Sequence, residues 1–197
     1  YGVRKYGFHG ISCKFVAETA AKYLGIDFEH FNCIYVHLGS GCSLTTIENG
    51  KSIDTTMGFT PMDGLMMSTR CGSIDVGVVE YMNHRGFSIE KIMKMLNRKS
   101  GLLGIAGTHD MRRVVVKMKD GDRNAILAFQ MFVTRVRKEI ASSFALMARV
   151  DALIFTGGIG ENQPSIREKI CERMEHLGIE LELALNKETK GKLNTNS

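Results

Sequence analysis

Four short segments carry residues whose type and spacing could do chemistry on an anionic ligand. Tyr6-Gly7-Phe8-His9-Gly10 sets an imidazole between glycines. There it could polarise a phosphoryl oxygen or hold a carboxylate. Val36-His37-Leu38-Gly39-Ser40-Gly41-Cys42-Ser43 puts two glycines around one polar residue at a strand-to-strand turn. Glycine lets backbone come close to a ligand and aim N–H groups at phosphate oxygens. The same pattern also reads as an ordinary hairpin loop. Met57–Pro61, continuing to Ser68-Thr69-Arg70-Cys71-Gly72, places an Arg among small residues. A guanidinium fork matches two oxygens of a transferring phosphoryl group, although a surface ion pair is the commoner fate of an Arg. Thr156-Gly157-Gly158-Ile159-Gly160-Glu161-Asn162 is a glycine cluster between a strand and a helix, a place where nucleotides often bind. It is neither a GxGxxG nor a P-loop pattern, and Glu161 and Asn162 could meet a ribose or base, or only cap the helix.

Other chemistries find less support. The five cysteines form no CxxC pair and are odd in number, which argues against a zinc site or disulfide framework and for a reducing, cytoplasmic setting. By spacing, His30, His37, His84, His109 and His176 have no metal-ligand partners and read as structural or exposed, and no metal-ligating residue is assigned. Net charge is +5, yet the densest basic run, Arg112–Lys119 followed by Arg123, has no aromatic interleaving. That pattern excludes nucleic acid as the expected partner and leaves mild attraction for anions. No apolar run approaches the ~20 residues of a membrane-spanning helix, so no membrane partner is expected.

The elements that must position these residues follow from periodicity and punctuation. Ser12 is expected to cap a helix with apolar positions Phe15, Val16, Ala20 and Tyr23–Leu24, stopped by Gly25. Three β-like runs follow, Cys33–Leu38, Ser43–Ile47 and Ser52–Thr56, the last two joined by Asn49-Gly50, a type I′ hairpin signal. Helices are expected over Asp75–Arg85, over Ile89–Arg98 behind a Ser88 cap, near Thr108–Lys119, and over Asp122–Arg149. Met62, Met66, Met67, Met93 and Met95 read as adaptable core filling. Ala152–Phe155 reads as a strand running into the second glycine cluster, then a helix with Ile166, Ile170 and Met174 ending at Gly178. A chain of 197 residues with 44% hydrophobic content and no repeat predicts one α/β domain.

Taken in order, the motifs resemble the acetate kinase (acetokinase) family. They are Tyr6–Gly10, His37–Gly41, Asp54–Pro61, Thr69–Asp75, Ser100–Ile105, Asp110-Met111-Arg112 and Phe155–Asn162. The resemblance implies an actin-like ATPase (ribonuclease H-like) α/β fold, with an antiparallel meander joined to a further strand and flanking helices. It implies that residues 1–197 form a single nucleotide-binding domain, the C-terminal half of a two-domain kinase. The N-terminal domain and the extreme C-terminal segment would be absent, because the chain opens at Tyr1 beside a motif and ends in a polar stretch, Lys187–Ser197. The implied reaction is ATP plus acetate giving ADP plus acetyl phosphate, reversibly, with Mg²⁺. A propionate or butyrate kinase and a non-catalytic actin-like binding module are the alternatives.

By resemblance, His9 and Arg70 contact the phosphoryl group in flight. His37, Gly39, Ser40 and Gly41 cradle nucleotide phosphates. Asp110, Met111 and Arg112, with Gly158, Ile159, Gly160 and Asn162, line the adenosine pocket. Phe8 and Pro61 wall the pocket for the acid's methyl group. A homodimer formed through this half is implied as well. The sequence departs from the family at Ser40 (usually Asn), Cys13 (usually His), Cys71 (usually Ser), Ser73 (usually Asp) and Val76 (usually Pro). These changes bear on efficiency and substrate preference more than on fold.

Overall fold

The computed structural model describes residues 1–188; the stretch 189–197 lies outside the described residues. Strands β1 (Cys33–Leu38), β2 (Cys42–Glu48), β3 (Lys51–Thr55) and β4 (Ala152–Thr156) form one sheet in the order β3-β2-β1-β4. The meander β1-β2-β3 is antiparallel, and β4 adds parallel to β1 after a long helical excursion. Asn49 and Gly50 both have positive φ, 50° and 69°, as a type I′ turn requires.

β1 is apolar along nearly its whole length because it is covered on both faces. Alternate residues serve different layers, since strand side chains have a period of two. Ile34, Val36 and Leu38 enter the main core with α6 (Arg123–Leu146). Cys33 and Tyr35 enter a second core against α1 (Gly10–Leu24). His37 follows Tyr35 on this α1 side.

α1 begins three residues earlier than expected. Ser12 does not cap it; His9 does, in the left-handed conformation (φ 62°, ψ 19°). Its buried face is Cys13, Ala17, Ala20 and Ala21. Phe15 (69% exposed) and Tyr23 (57% exposed) point outward, contrary to the periodicity reading. Close approach to the sheet selects small residues, so the larger apolar side chains lie on the other face.

The helices α2 (Gly77–His84), α3 (Ile89–Arg98), α4 (Gly101–Ala106) and α5 (Met111–Lys119) connect the meander to α6. Ser88 accepts from the Lys91 N–H, Asp110 from Arg112 N–H, and Asp122 from Asn124 and Ala125 N–H, so three helix starts are polar caps. α4 has no such cap bond and was not foreseen. α6 stops at Leu146, short of Arg149. The second glycine cluster is itself a helix, α7 (Gly157–Asn162), not an open loop. The helix expected after it is broken: α8 (Pro164–Cys171) ends before Arg173, whose φ is 67°, and a 3₁₀ turn, Glu175–Leu177, leads to Gly178. α9 (Leu183–Glu188) closes the described chain. Met66 and Met67 are buried as expected, but Met93 is exposed. All five cysteines are free thiols.

Candidate active site

The parallel pair β1 and β4 ends on two glycine segments. Leu38 runs into Gly39–Gly41, and Thr156 runs into α7. They meet over one residue: a Cβ on Gly157 would lie 2.6 Å from the Leu38 carbonyl oxygen, and one on Gly160 3.6 Å from Leu38 Cβ. Gly157 has φ 78°, a conformation that favours glycine. The close approach of α7 to β1 therefore needs glycine at 157, while a Cβ added at Gly160 would make only ordinary contact.

The chemical groups gather at the β1-β2 turn. His9, held at the head of α1, has Nδ1 2.8 Å from Ser43 Oγ. Its ring stacks on His37 at 4.1 Å between centroids and 18° between planes. His37 Nδ1 lies 3.1 Å from the Tyr35 hydroxyl, which donates to Ser12 Oγ at 2.8 Å. Arg70 Nη1 donates to the Pro61 carbonyl at 3.1 Å. A Cβ on Gly41 would stand 3.4 Å from Arg70 Nη1 and 3.6 Å from His9 Nε2. Guanidinium, imidazole and glycine loop thus face one small volume that any larger residue at 41 would occupy. The Ser68 N–H donates to Ser40 O at 3.3 Å, and the Met67 N–H to Arg70 O at 3.2 Å, fixing the Arg70 turn against the loop.

Burial, then the nearby Arg70 cation, lowers the His9 pKa. Burial, then His9, pulls His37 down to about 4. Both rings are neutral at pH 7. An unfolded chain takes up these protons near the ordinary value of ~6.5, while the folded chain resists. Stability therefore holds above pH 6.5 and falls as the pH drops toward 4. We expect the thermal midpoint to fall between pH 7.5 and 5.0, and to fall less in His37→Gln. Equal falls in both proteins would show that His37 does not contribute to the pH dependence.

The remaining expected site residues divide. Pro61 is brought to Arg70 by its carbonyl, and Phe8 packs beside His9 against the main core. The Tyr6 N–H donates to Gly58 O at 3.0 Å, tying the two segments together. Met111 is buried in the core that also holds Leu38 and Ile159. Asp110 and Arg112 grip each other, Nη2 to Oδ2 at 2.7 Å, and the Arg112 hydrogen bond lowers the Asp110 pKa to about 2. Among the described residues neither side chain bonds to a glycine segment. Asn162 Nδ2 donates to Gly158 O at 3.1 Å, within α7. Ser73, one of the departures, donates to Asp63 Oδ1 at 2.7 Å and accepts from the Gly64 N–H at 3.0 Å, so it is built into the turn before Arg70.

Sequence reasoning missed Ser12, Tyr35 and Ser43. Their signal was polar groups on the α1-facing side of two strands and one helix, legible only once the register was known. Among the described residues no three His, Cys, Asp or Glu side chains gather as metal ligands, and no helix is long and apolar enough to cross a membrane.

Known proteins carry the same arrangement of chain. An acetate kinase of Campylobacter concisus is 54% identical over 93% of this chain, a region that is 46% of the relative. The crystal structure of Porphyromonas gingivalis acetate kinase superimposes with a TM-score of 0.93 at 42% identity, covering 97% of this chain and 48% of that one. A propionate kinase structure from Francisella tularensis gives 0.92 at 46% identity, covering 98% and 50%. The chain spans about half the length of the curated relatives it matches, and the actin-like α/β fold implied by the resemblance is the fold found. The sequence matches the Acetokinase family over residues 1–195, and the chain belongs to that family.

Proposed function

We propose that this chain is the nucleotide-binding half of a short-chain carboxylate kinase, which converts ATP and acetate reversibly to ADP and acetyl phosphate. The observation that carries the reading is the open position over Gly41, bordered by both Arg70 Nη1 and His9 Nε2. A phosphoryl group fits where the side chain is missing. A carboxylate oxygen of the acid attacks the γ-phosphorus, the bond to the β–γ bridging oxygen breaks, and ADP leaves with the electron pair. Acetate is already anionic at neutral pH, so no proton-abstracting base is needed, and positioning with charge neutralisation does the work.

Arg70 neutralises charge on the equatorial oxygens. With the Ser43 hydroxyl donating to Nδ1, the His9 proton resides on Nε2 and is donated to a phosphoryl oxygen. A neutral imidazole is the right form for that bond, and the burial described above keeps it neutral. Gly39, Ser40 and Gly41, beside His37, cradle the phosphates; Asp110, Met111 and Arg112 with Gly158, Ile159, Gly160 and Asn162 hold the adenosine; Phe8 and Pro61 wall the acyl pocket. Mg²⁺ enters on the phosphates of ATP, as part of the substrate. Residues 1–197 are one domain of a longer two-domain protein, cytoplasmic and homodimeric, with small molecules rather than nucleic acid or membrane as partners. The likeness to a propionate kinase at 46% identity supports a longer acyl chain as second reading, and one methylene separates the two by only ~1–3 kcal/mol.

The test is acyl phosphate trapped as hydroxamate. The longer protein carrying this chain is expected to form it from ATP and acetate, with propionate and butyrate run alongside. Residues 1–197 alone are expected to bind ADP without turnover. Turnover by those residues alone would refute the half-site reading, and none from the longer protein with any of the three acids would refute the kinase.

A further inference from the structure

Arg167, in α8, is only 7% exposed, yet among the described residues each group its guanidinium bonds to is neutral. Nη1 donates to Gly160 O at 2.7 Å and to Glu161 O at 2.8 Å. Nε donates to Asn186 Oδ1 at 2.7 Å, and Nη2 to Asn186 O at 2.6 Å. Asn186 completes the arrangement by donating from Nδ2 to Pro164 O at 3.0 Å. One cation thus joins three elements: the far end of α7, the start of α8 and the middle of α9.

Each join has a physical reason. The last carbonyls of a helix lack intrahelical partners, and Arg167 takes two such oxygens of the short helix α7. Charge-assisted bonds of this kind are roughly twice as strong as neutral ones. On the other side, Asn186 is the buried residue of α9, while Leu183 and Leu185 are 50% and 41% exposed. Among the described residues the buried contact of α9 with the body is polar, made by Asn186 to Arg167 and Pro164. If Asn186 leaves, a buried guanidinium loses two partners, and desolvated charge without partners is costly. The same α7 packs Gly157 and Gly160 onto Leu38, at the root of the Gly39–Gly41 loop.

We infer that Arg167 and Asn186 form a positioning latch that couples the seating of α9 to nucleotide binding at α7. The inference rests on the nucleotide role proposed for α7. Coupling is reciprocal: bound nucleotide seats α9, and a seated α9 favours nucleotide.

Calorimetry with ADP and hydrogen exchange on the 197-residue chain test it. ADP is expected to slow exchange of the 183–188 amides several-fold. Asn186→Ala is expected to weaken ADP binding about tenfold, Arg167→Gln at least as much, and Asn186→Asp, which keeps an acceptor before the guanidinium, to stay near the original affinity. Unaltered ADP affinity in Asn186→Ala, even with a lowered melting midpoint, would reduce the latch to a structural clamp and overturn the coupling. Unchanged exchange at 183–188 on adding ADP overturns it without any variant. Failure of the unsubstituted chain to bind ADP would instead strike the nucleotide reading itself, and the latch with it.

Discussion

In the longer protein proposed to carry this chain, Arg70→Ala is expected to lower kcat by about 10³-fold while leaving ADP affinity within a few-fold. The scale is that of a guanidinium neutralising a transferring phosphoryl group, ~4 kcal/mol of barrier at 1.4 kcal/mol per factor of ten. The geometry supports an effect on the reaction rather than on the fold. Arg70 Nη1 donates to Pro61 O and touches Met67 Sδ, and the same nitrogen borders the space over Gly41, 3.4 Å from where a Cβ there would lie. Losing the Pro61 bond costs roughly 1–2 kcal/mol of stability, visible as a melting shift of a few degrees. Arg70→Lys is expected to recover little, because a point-like ammonium does not reproduce the fork. Hydroxamate turnover and ADP calorimetry on the same preparations separate the outcomes. A kinase loses turnover and keeps nucleotide. A non-catalytic actin-like module has no turnover to lose, and retention of rate within tenfold in Arg70→Ala would remove this residue from the reaction.

How much of this was legible in the sequence depended on whether the signal was local. Asn49-Gly50 dictates its turn through backbone sterics alone, so β2 and β3 were placed within a residue of their observed ends. Ser88, Asp110 and Asp122 accept N–H groups two or three positions ahead, and the helices behind them were anticipated. α1 was misread at its start because His9 caps it in a left-handed conformation that no side-chain rule announces. Its buried face was misread because a sheet contact at short range prefers Ala and Cys to Phe and Tyr. Within the site, His9, Arg70 and Gly41 were each found in motifs, but their convergence is a fact of register: Ser43 and His37 pair across β1 and β2, which sets the Ser43 hydroxyl and the His37 ring on the two sides of His9. The Arg167 latch left no trace in spacing, since its acceptors are mostly backbone oxygens and any residue supplies those.

Among the described glycines, Gly101→Ala is expected to be the most destabilising single added methyl group. Gly101 opens α4 with φ 61°, and a Cβ there would lie 2.1 Å from Met67 O and 2.7 Å from Arg70 O. Both obstacles are backbone, so no side-chain rotation relieves them. Those carbonyls are themselves engaged: Met67 O accepts from the Leu102 N–H and Arg70 O from the Met67 N–H, each within 3.2 Å. The Arg70 turn is therefore locked between α4 and the hairpin loop, and it cannot retreat without breaking bonds that place the guanidinium. Left-handed backbone at a non-glycine residue costs ~1–2 kcal/mol, and forced displacement of packed neighbours adds ~1–3 kcal/mol. A loss of about 3–4 kcal/mol in a domain whose whole stability is of order 5–15 kcal/mol lowers the melting midpoint by roughly 10 °C at this length. Gly107→Ala is the control, since its φ of 70° carries the same backbone strain with no atom within 4 Å of the added Cβ. If both variants melt alike, the contact between α4 and the Arg70 turn is not what holds that turn. If Gly101→Ala falls well beyond the strain shared with Gly107→Ala, and its surviving folded fraction also binds ADP normally but turns over slowly in the longer protein, the glycine is there to seat Arg70.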